Sequence, residues 1–247
     1  MISPISMELY AGLGAAAGLG LAASGFAYAS RWPASQLFGP ALIAPPRPGE
    51  LALTFDDGPN TAWTPRLLEL LARRDVRATF FLVGSRAQAN PGLVRQIASA
   101  GHAIGNHSWS HLNLALASAS TIEDQLSRAN QAIAEITGSS PRFFRPPYGA
   151  RRPATLRIAR RLGLTPVLWN AMTSDWKNPS ADAIALRLQS KIDHLYRQGF
   201  AANIVLHDGS HSSPAADRAP SVAAAAQLIA RYKPTHQFLT LNAWCGE

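Results

Sequence analysis

The sequence has little of what several common kinds of site require. Its only cysteine, Cys245, excludes a disulfide framework and a cysteine-based zinc site within one chain. No G-x-G-x-x-G or G-K-S/T motif follows a predicted strand, so nucleotide binding has no support. The arginines are scattered along predicted helices and do not cluster among aromatic residues, so the net charge of +8 does not indicate nucleic-acid binding.

Charged residues are also nearly absent from residues 1–30, where Glu8 is the only one. Residues 10–29 are apolar or small throughout, a run long enough for a helix to cross a bilayer. We expect residues 1–30 to be a membrane anchor; a cleaved signal peptide, a misassigned start and a buried soluble helix are the alternatives. Residues 31–50 contain five prolines and predict a linker or wrapping arm. The protein is therefore expected to be membrane-anchored or secreted and extracytoplasmic, with the orientation of the anchor left open.

From residue 51 to residue 247 we predict one domain in which strands and helices alternate. The predicted strands are residues 51–55, 78–83, 102–105, 143–145, 165–169, 203–206 and 237–241. The predicted helices are residues 64–74, 91–100, 121–137, 153–162, 180–198 and 219–232. This alternation predicts an α/β fold with a parallel sheet, and about seven units favour a distorted or incomplete (β/α) barrel that follows an N-terminal hydrophobic helix.

Polar side chains follow five of the predicted strands at the point where each strand ends. They are Asp56 and Asp57, His107 and His111, Arg145 and Tyr148, Asp175 and Trp176, and His207 and Asp208. Because the carboxyl ends of parallel strands meet at one edge of the sheet, we expect these side chains to form one site. We place His107 and His111 on one turn of helix, where side chains four apart project to the same side.

The residue types in this set are those of a hydrolytic metal site. Asp57, His107 and His111 supply the three protein ligands of a catalytic divalent metal, with positions left for water and substrate. Asp56 then remains free to act as a base on the attacking water, whose pKa a bound metal lowers to about 7. His207 arrives from another strand and is a candidate proton donor to a leaving amine.

Three further residues support this chemistry. A salt bridge from Arg145 would hold Asp56 ionised and oriented. The backbone N–H of Tyr148 follows two prolines, which have none, and is a candidate oxyanion donor. Trp176 and Tyr148 offer flat faces of the kind that stack on sugar rings.

In this order, these motifs resemble those of the polysaccharide deacetylases, the NodB-homology or carbohydrate esterase 4 family. The motifs are Thr54-Phe55-Asp56-Asp57-Gly58-Pro59, His107-Ser108-x-x-His111, Arg145-Pro146-Pro147-Tyr148, Asp175-Trp176 and Leu206-His207-Asp208. The resemblance covers about residues 50–243. It implies a distorted (β/α) barrel, a metal that is usually zinc, with cobalt and nickel as alternatives, and hydrolysis of an acetyl group on a sugar polymer.

The resemblance also implies a role for each matching residue. Asp56 would be the catalytic base and His207 the catalytic acid, with Arg145 and Tyr148 supporting the base and the oxyanion. The implied metal ligands are Asp57, His107 and His111. The implied substrate contacts are Pro147, Tyr148, Asp175 and Trp176.

One position departs from the family pattern. The family commonly has an Asp three residues before the Asp-Trp pair, where it assists the catalytic histidine, and Met172 stands there instead. We therefore expect His207 to lack its usual carboxylate and to have a lower pKa, with Asp208 and Asp175 as candidate substitutes. We assign His211 to a solvated loop.

The sequence thus predicts a metal-dependent hydrolase that removes acetyl groups from N-acetylated sugar polymers of peptidoglycan or chitin-like type. Its expected partners are an acetylated glycan and, through residues 1–30, the membrane. Two alternatives remain: an amidohydrolase on the same scaffold that acts on a small cyclic amide, and a non-catalytic, membrane-tethered glycan binder.

Overall fold

The computed structural model describes residues 24–213 and 215–245. The strands are β1 (Glu50–Gly58), β2 (Thr79–Leu82), β3 (Ala103–Asn106), β4 (Phe143–Phe144), β5 (Thr165–Pro166), β6 (Ala171–Met172), β7 (Ala202–His207) and β8 (Gln237–Phe238). The α-helices are α1 (Thr64–Arg73), α2 (Gly84–Ala89), α3 (Pro91–Ser99), α4 (Ala119–Thr137), α5 (Pro153–Arg161), α6 (Ala181–Arg197) and α7 (Ala219–Tyr232). Short 3-10 helices lie at Pro147–Gly149, Asp175–Lys177 and Leu241–Trp244.

The strands form one parallel sheet with β1 near its centre. Their order is β5-β4-β3-β2-β1-β7-β6, and β8 pairs with the start of β1. The seven-strand path forms a half-barrel, which confirms the predicted α/β fold with about seven parallel strands. Because β1 lies between β2 and β7, Asp56 is in register with Phe81 on one side and His207 on the other.

The apolar pattern of the sequence explains the main elements. Leu51 to Phe55 is a continuous buried run, as expected for a parallel strand with both faces covered. Helix α1 buries one face, including Leu67 and Leu71, in the largest apolar cluster. Helix α4 begins two residues before its predicted start, because the Ser118 hydroxyl caps it by accepting from the Thr121 N–H.

Several features differ from the prediction. Strand β6 and helix α2 were not predicted, and the fifth strand is shorter than residues 165–169. The helical turn predicted for His107 and His111 is wrong, because this segment is a loop in which Ser108 and His111 have φ angles of 65° and 59°. Side chains hold that loop: Asn106 accepts from the Ser108 N–H at 2.7 Å, and the Ser108 hydroxyl accepts from the His111 N–H at 3.0 Å.

The chain before β1 packs against the sheet. Residues 24–31 are helical, and Leu42 forms a parallel bridge with Val167. The buried guanidinium of Arg151 donates to the backbone carbonyls of Ser30, Trp32 and Ser35. Among the helices described for residues 24–245, none has the length and apolar character needed to cross a membrane. Residues 1–23, most of the predicted anchor, lie outside the described residues.

Candidate active site

Two adjacent carboxylates reach one cavity because β1 ends in a bulge. The pairing of β1 with β2 passes from Asp56–Phe81 to Gly58–Leu82, so Asp57 is an extra residue on its strand. Asp57 has a φ of 69°, in the left-handed region. In a regular strand, successive side chains point to opposite faces. The bulge removes that alternation, and both Asp56 and Asp57 line the same cavity.

Asp57, His107 and His111 form a group that suits a divalent cation. Their ligand atoms all lie within 4.8 Å of one another, and all three residues are buried. Asp57 Oδ1 is 3.3 Å from His107 Nε2 and 3.0 Å from His111 Nε2, yet it has no hydrogen-bond partner among the described residues. His107 Nδ1 lies 2.8 Å from the carbonyl oxygen of Arg145, which makes Nδ1 the donor and leaves Nε2 free for a metal. The residues present therefore fit a metal.

The protonation states of this group also suit a cation. Burial acts to raise the pKa of Asp57, but the neighbouring imidazoles of His107 and His111 outweigh it and hold that pKa well below 3.8. Burial lowers the pKa of His111 despite the opposing effect of Asp57. An ionised carboxylate and a neutral imidazole are the forms in which these side chains bind metals.

A buried arginine holds Asp56. Arg145 Nη1 lies 2.7 Å from Asp56 Oδ1 and 2.7 Å from Thr54 Oγ1, and Nη2 lies 3.3 Å from Asn203 Oδ1. Burial lowers the pKa of Arg145, and the neighbouring Asp56 carboxylate opposes that change. Because an unpaired buried charge is costly, each member of this pair stabilises the other. Asp56 is thereby fixed beside the candidate metal ligands.

His207 pairs with Asp175. Asp175 Oδ1 lies 2.9 Å from His207 Nδ1, and Asp175 Oδ2 accepts from the His207 backbone N–H at 2.8 Å and from the Ser221 hydroxyl at 2.7 Å. Burial acts to lower the pKa of His207, but Asp175 outweighs it and the pKa rises to about 9. The lower pKa expected from Met172 is therefore wrong, because Asp175 supplies the missing carboxylate.

The cavity over these groups has a volume of about 220 Å³. Tyr148 and Trp176 line it and are 51% and 41% exposed, so their rings form its mouth. Met172 also lies in its wall. Two of the four predicted substrate contacts do not line this cavity: Asp175 is buried and pairs with His207, and Pro147 is buried beside Tyr148.

His211 lies on an exposed loop, as predicted, and its ring also lines the active-site cavity. Its ring stacks on that of His111, with the two centroids 4.7 Å apart. Its backbone N–H donates to Asp57 Oδ2 at 3.2 Å. One oxygen of Asp57 is therefore held by the backbone, while the other, Oδ1, faces the two histidines.

Two further polar groups lie behind the cavity: Arg86, which was not predicted, and Asp208, which was predicted as a site residue. Arg86 donates to the backbone carbonyls of Asp57 (at 3.1 Å) and of Ser210, which ties the bulge to the loop after β7. Asp208 accepts from the Thr64 hydroxyl, and burial raises the pKa of Asp208 to about 7. Asp208 therefore supports the start of α1 and is not the partner of His207. No local pattern marks Arg86, because it lies on the short unpredicted helix α2.

Comparisons with known proteins agree with this geometry. A sequence model of the polysaccharide deacetylases matches residues 44–167. A peptidoglycan-N-acetylglucosamine deacetylase from Bacillus cereus is 36% identical over 202 residues, which cover 81% of this chain and 70% of that protein. A chitooligosaccharide deacetylase from Sinorhizobium fredii is 36% identical over 183 residues, which cover 72% of this chain and 82% of that protein. The crystal structure of the Bc1960 peptidoglycan N-acetylglucosamine deacetylase superposes with a TM-score of 0.74 and 34% identity, covering 82% of this chain and 91% of that one.

Proposed function

This chain belongs to the polysaccharide deacetylase family, and we propose that it hydrolyses N-acetyl groups on a sugar polymer of peptidoglycan or chitin-like type. One observation carries the proposal: Asp56 and His207 flank the Asp57, His107 and His111 group in a single cavity with aromatic rings at its mouth. The relatives named above act on such glycans, as their names state.

Hydrolysis of an acetamide needs a base for the attacking water and an acid for the leaving amine. Asp56, held by Arg145, is the proposed base. His207 is the proposed acid, because Asp175 keeps its pKa near 9 and the ring therefore carries a proton at neutral pH. Both side chains line the cavity, so the proton taken from water and the proton given to nitrogen pass through separate groups.

We propose zinc as the metal, with cobalt and nickel as alternatives. Two imidazoles and one carboxylate are a donor set of catalytic zinc sites. When bound by Asp57, His107 and His111, zinc would polarise the acetyl carbonyl and lower the pKa of water. The unpartnered, buried Asp57 Oδ1 supports this assignment among the described residues.

Tyr148 and Trp176 are the proposed contacts to the sugar. Their exposed rings at the mouth of the cavity suit stacking on a sugar face. The backbone N–H of Tyr148 is the proposed donor to the oxyanion that forms as water adds to the acetyl carbon. The φ of 59° at Tyr148 departs from the helical value of the 3-10 turn around it, and it fixes the direction of that peptide.

Acetate release from N-acetylglucosamine oligomers and from peptidoglycan tests the proposal. The full chain is stripped of metal with a chelator and assayed before and after zinc is added back. We expect acetate only with metal. An enzyme with zinc bound that releases no acetate from any acetylated glycan would overturn the proposal.

The two alternatives have less support. Aromatic rings at an open cavity mouth favour a polymer over a small cyclic amide. The non-catalytic binder was suggested only by Met172, and Asp175 now supplies a carboxylate to His207.

We also propose that residues 1–30 anchor the protein in a membrane or direct its export, which would place the site near a cell-wall glycan. The support is the apolar run at residues 10–29. Membrane fractionation of the full chain and of a chain that starts at Arg31 tests this. Equal recovery of both chains in the soluble fraction would contradict an anchor.

A further inference from the structure

We propose that a second cavity beside the active site binds another sugar of the same glycan, with Trp32 as its main contact. The inference rests on the proposed function for the identity of the ligand. The cavity has a volume of about 300 Å³, and its lining includes Trp32, Trp169, Met172 and Lys191. For brevity we call it the Trp32 cleft.

The Trp32 cleft adjoins the active site. Trp169 and Met172 line both cavities, so the two share a wall. A linear glycan with one acetamido group at Asp56 and His207 would pass over this wall and place a neighbouring sugar against Trp32. This arrangement also gives Met172 a role, because an apolar side chain suits a wall that sugar rings cross.

The chemistry of the Trp32 cleft suits a sugar. Trp32 is 52% exposed, and a half-exposed indole over a cavity offers the flat apolar face that stacks on a pyranose ring. Lys191 on α6 contributes an ammonium group that can donate to sugar hydroxyls or pair with a carboxylate. Arg187 and Lys191 also line the adjoining hollow beyond Met172. These two cations favour a glycan that carries acidic groups.

Trp32 is held in place before any ligand arrives. Its backbone N–H donates to the Tyr28 carbonyl at 2.8 Å, and its ring stacks on Tyr28 with centroids 5.6 Å apart. Its carbonyl accepts from Arg151 at 2.8 Å, and Arg151 also donates to the Gly149 carbonyl at 3.0 Å. One buried guanidinium therefore fixes both the Trp32 cleft and the loop that carries Tyr148. Such preorganisation reduces the entropy lost on binding.

The test compares Trp32→Ala with Leu37→Ala, a matched control in the same segment that is 74% exposed and does not line the Trp32 cleft. Zinc-dependent acetate release is measured on N-acetylglucosamine oligomers of increasing length. We expect Trp32→Ala to raise KM on long oligomers by about tenfold, the equivalent of one good aromatic contact, with no change on the shortest substrate that turns over. Trp32→Phe should restore most of the loss, and Leu37→Ala should match the unaltered protein at every length.

Two outcomes would overturn the inference: unchanged KM at every length, or an equal loss on short and long oligomers. If the unaltered protein releases no acetate, the proposed function fails but the Trp32 cleft can still be tested. Calorimetric titration of the full chain with a long oligomer then decides. Weaker binding by Trp32→Ala than by Leu37→Ala supports the subsite, and equal binding contradicts it.

Discussion

The charge on His207, the proposed general acid, depends on one carboxylate. Asp175→Asn removes that negative charge but keeps the size of the side chain and an oxygen that accepts from His207 and Ser221. In the variant, burial still lowers the pKa of His207, and only the smaller effects of Asp57 and Asp56 oppose it. We predict that the pKa of His207 falls well below 9, so that less of the ring is protonated at neutral pH.

The effect on stability has a definite size and sign. A pKa of about 9 for His207 in the folded protein, instead of 6.5, corresponds to about 3 kcal/mol of folding free energy at 1.36 kcal/mol per pH unit. Because the folded pKa lies above the unfolded one, this stabilisation is fully present below pH 6.5 and is lost as the pH rises through about 9. Asp175→Asn should therefore lower the free energy of unfolding most at acidic pH, and the difference from the unaltered protein should shrink above pH 9.

Two measurements check this prediction. NMR titration of the His207 ring in metal-free protein reports its pKa directly. In the pH profile of kcat/KM, the decline in activity at alkaline pH should begin at a lower pH in Asp175→Asn than in the unaltered protein. Ser221→Ala is the matched control, because it removes one hydrogen bond to Asp175 and leaves the carboxylate in place. A His207 ring that still titrates near 9 in Asp175→Asn would refute the reasoning.

Three further predictions concern the metal group and its surroundings. His107→Ala should abolish zinc binding in calorimetry without changing the circular dichroism spectrum, and stoichiometric zinc in that variant would contradict the ligand set. Asp208→Asn should raise the melting temperature of metal-free protein more at high pH than at low pH. Because burial raises the pKa of Asp208, the stability that this carboxyl group contributes is present below pH 3.8 and is lost as the pH rises through about 7. A difference that does not vary with pH would argue against a buried, titrating Asp208. Gly209→Ala should destabilise the protein by about 1–3 kcal/mol and weaken zinc binding, because a Cβ there collides with the Asp57 backbone. Gly92→Ala, where a Cβ meets open space, should cost no stability, and equal melting temperatures for the two alanine variants would refute the packing argument.

The elements that the sequence predicts well are those whose signal is local. Continuous apolar runs marked β1 and β7, and glycine at the predicted ends marked helices such as α4 and α5. The alternation of strands and helices then placed Asp56 and His207 at the same edge of the sheet, and the register shows that they are direct neighbours. Strand-end clusters could therefore be assembled into one site from the sequence alone.

The features that could not be predicted depend on tertiary contacts. Nothing local shows that Asp57 is a bulge residue, because the bulge exists only relative to β2. The contact between Asp175 and His207 joins two segments that are distant in the sequence, so it depends on tertiary packing. Without that contact the pKa of His207 was expected to fall, whereas in the structure it rises. His211 lies on an exposed loop, as predicted, but nothing in the sequence shows that its ring stacks on His111.

Acetate release by the zinc-loaded full chain and by zinc-loaded Asp56→Asn, from the same N-acetylglucosamine oligomer, tests the central claim most directly. The account predicts acetate from the unaltered protein and a rate lower by at least about 100-fold from the variant, with equal zinc content in both. An unchanged rate in Asp56→Asn, or no acetate from the zinc-loaded unaltered protein, would contradict it.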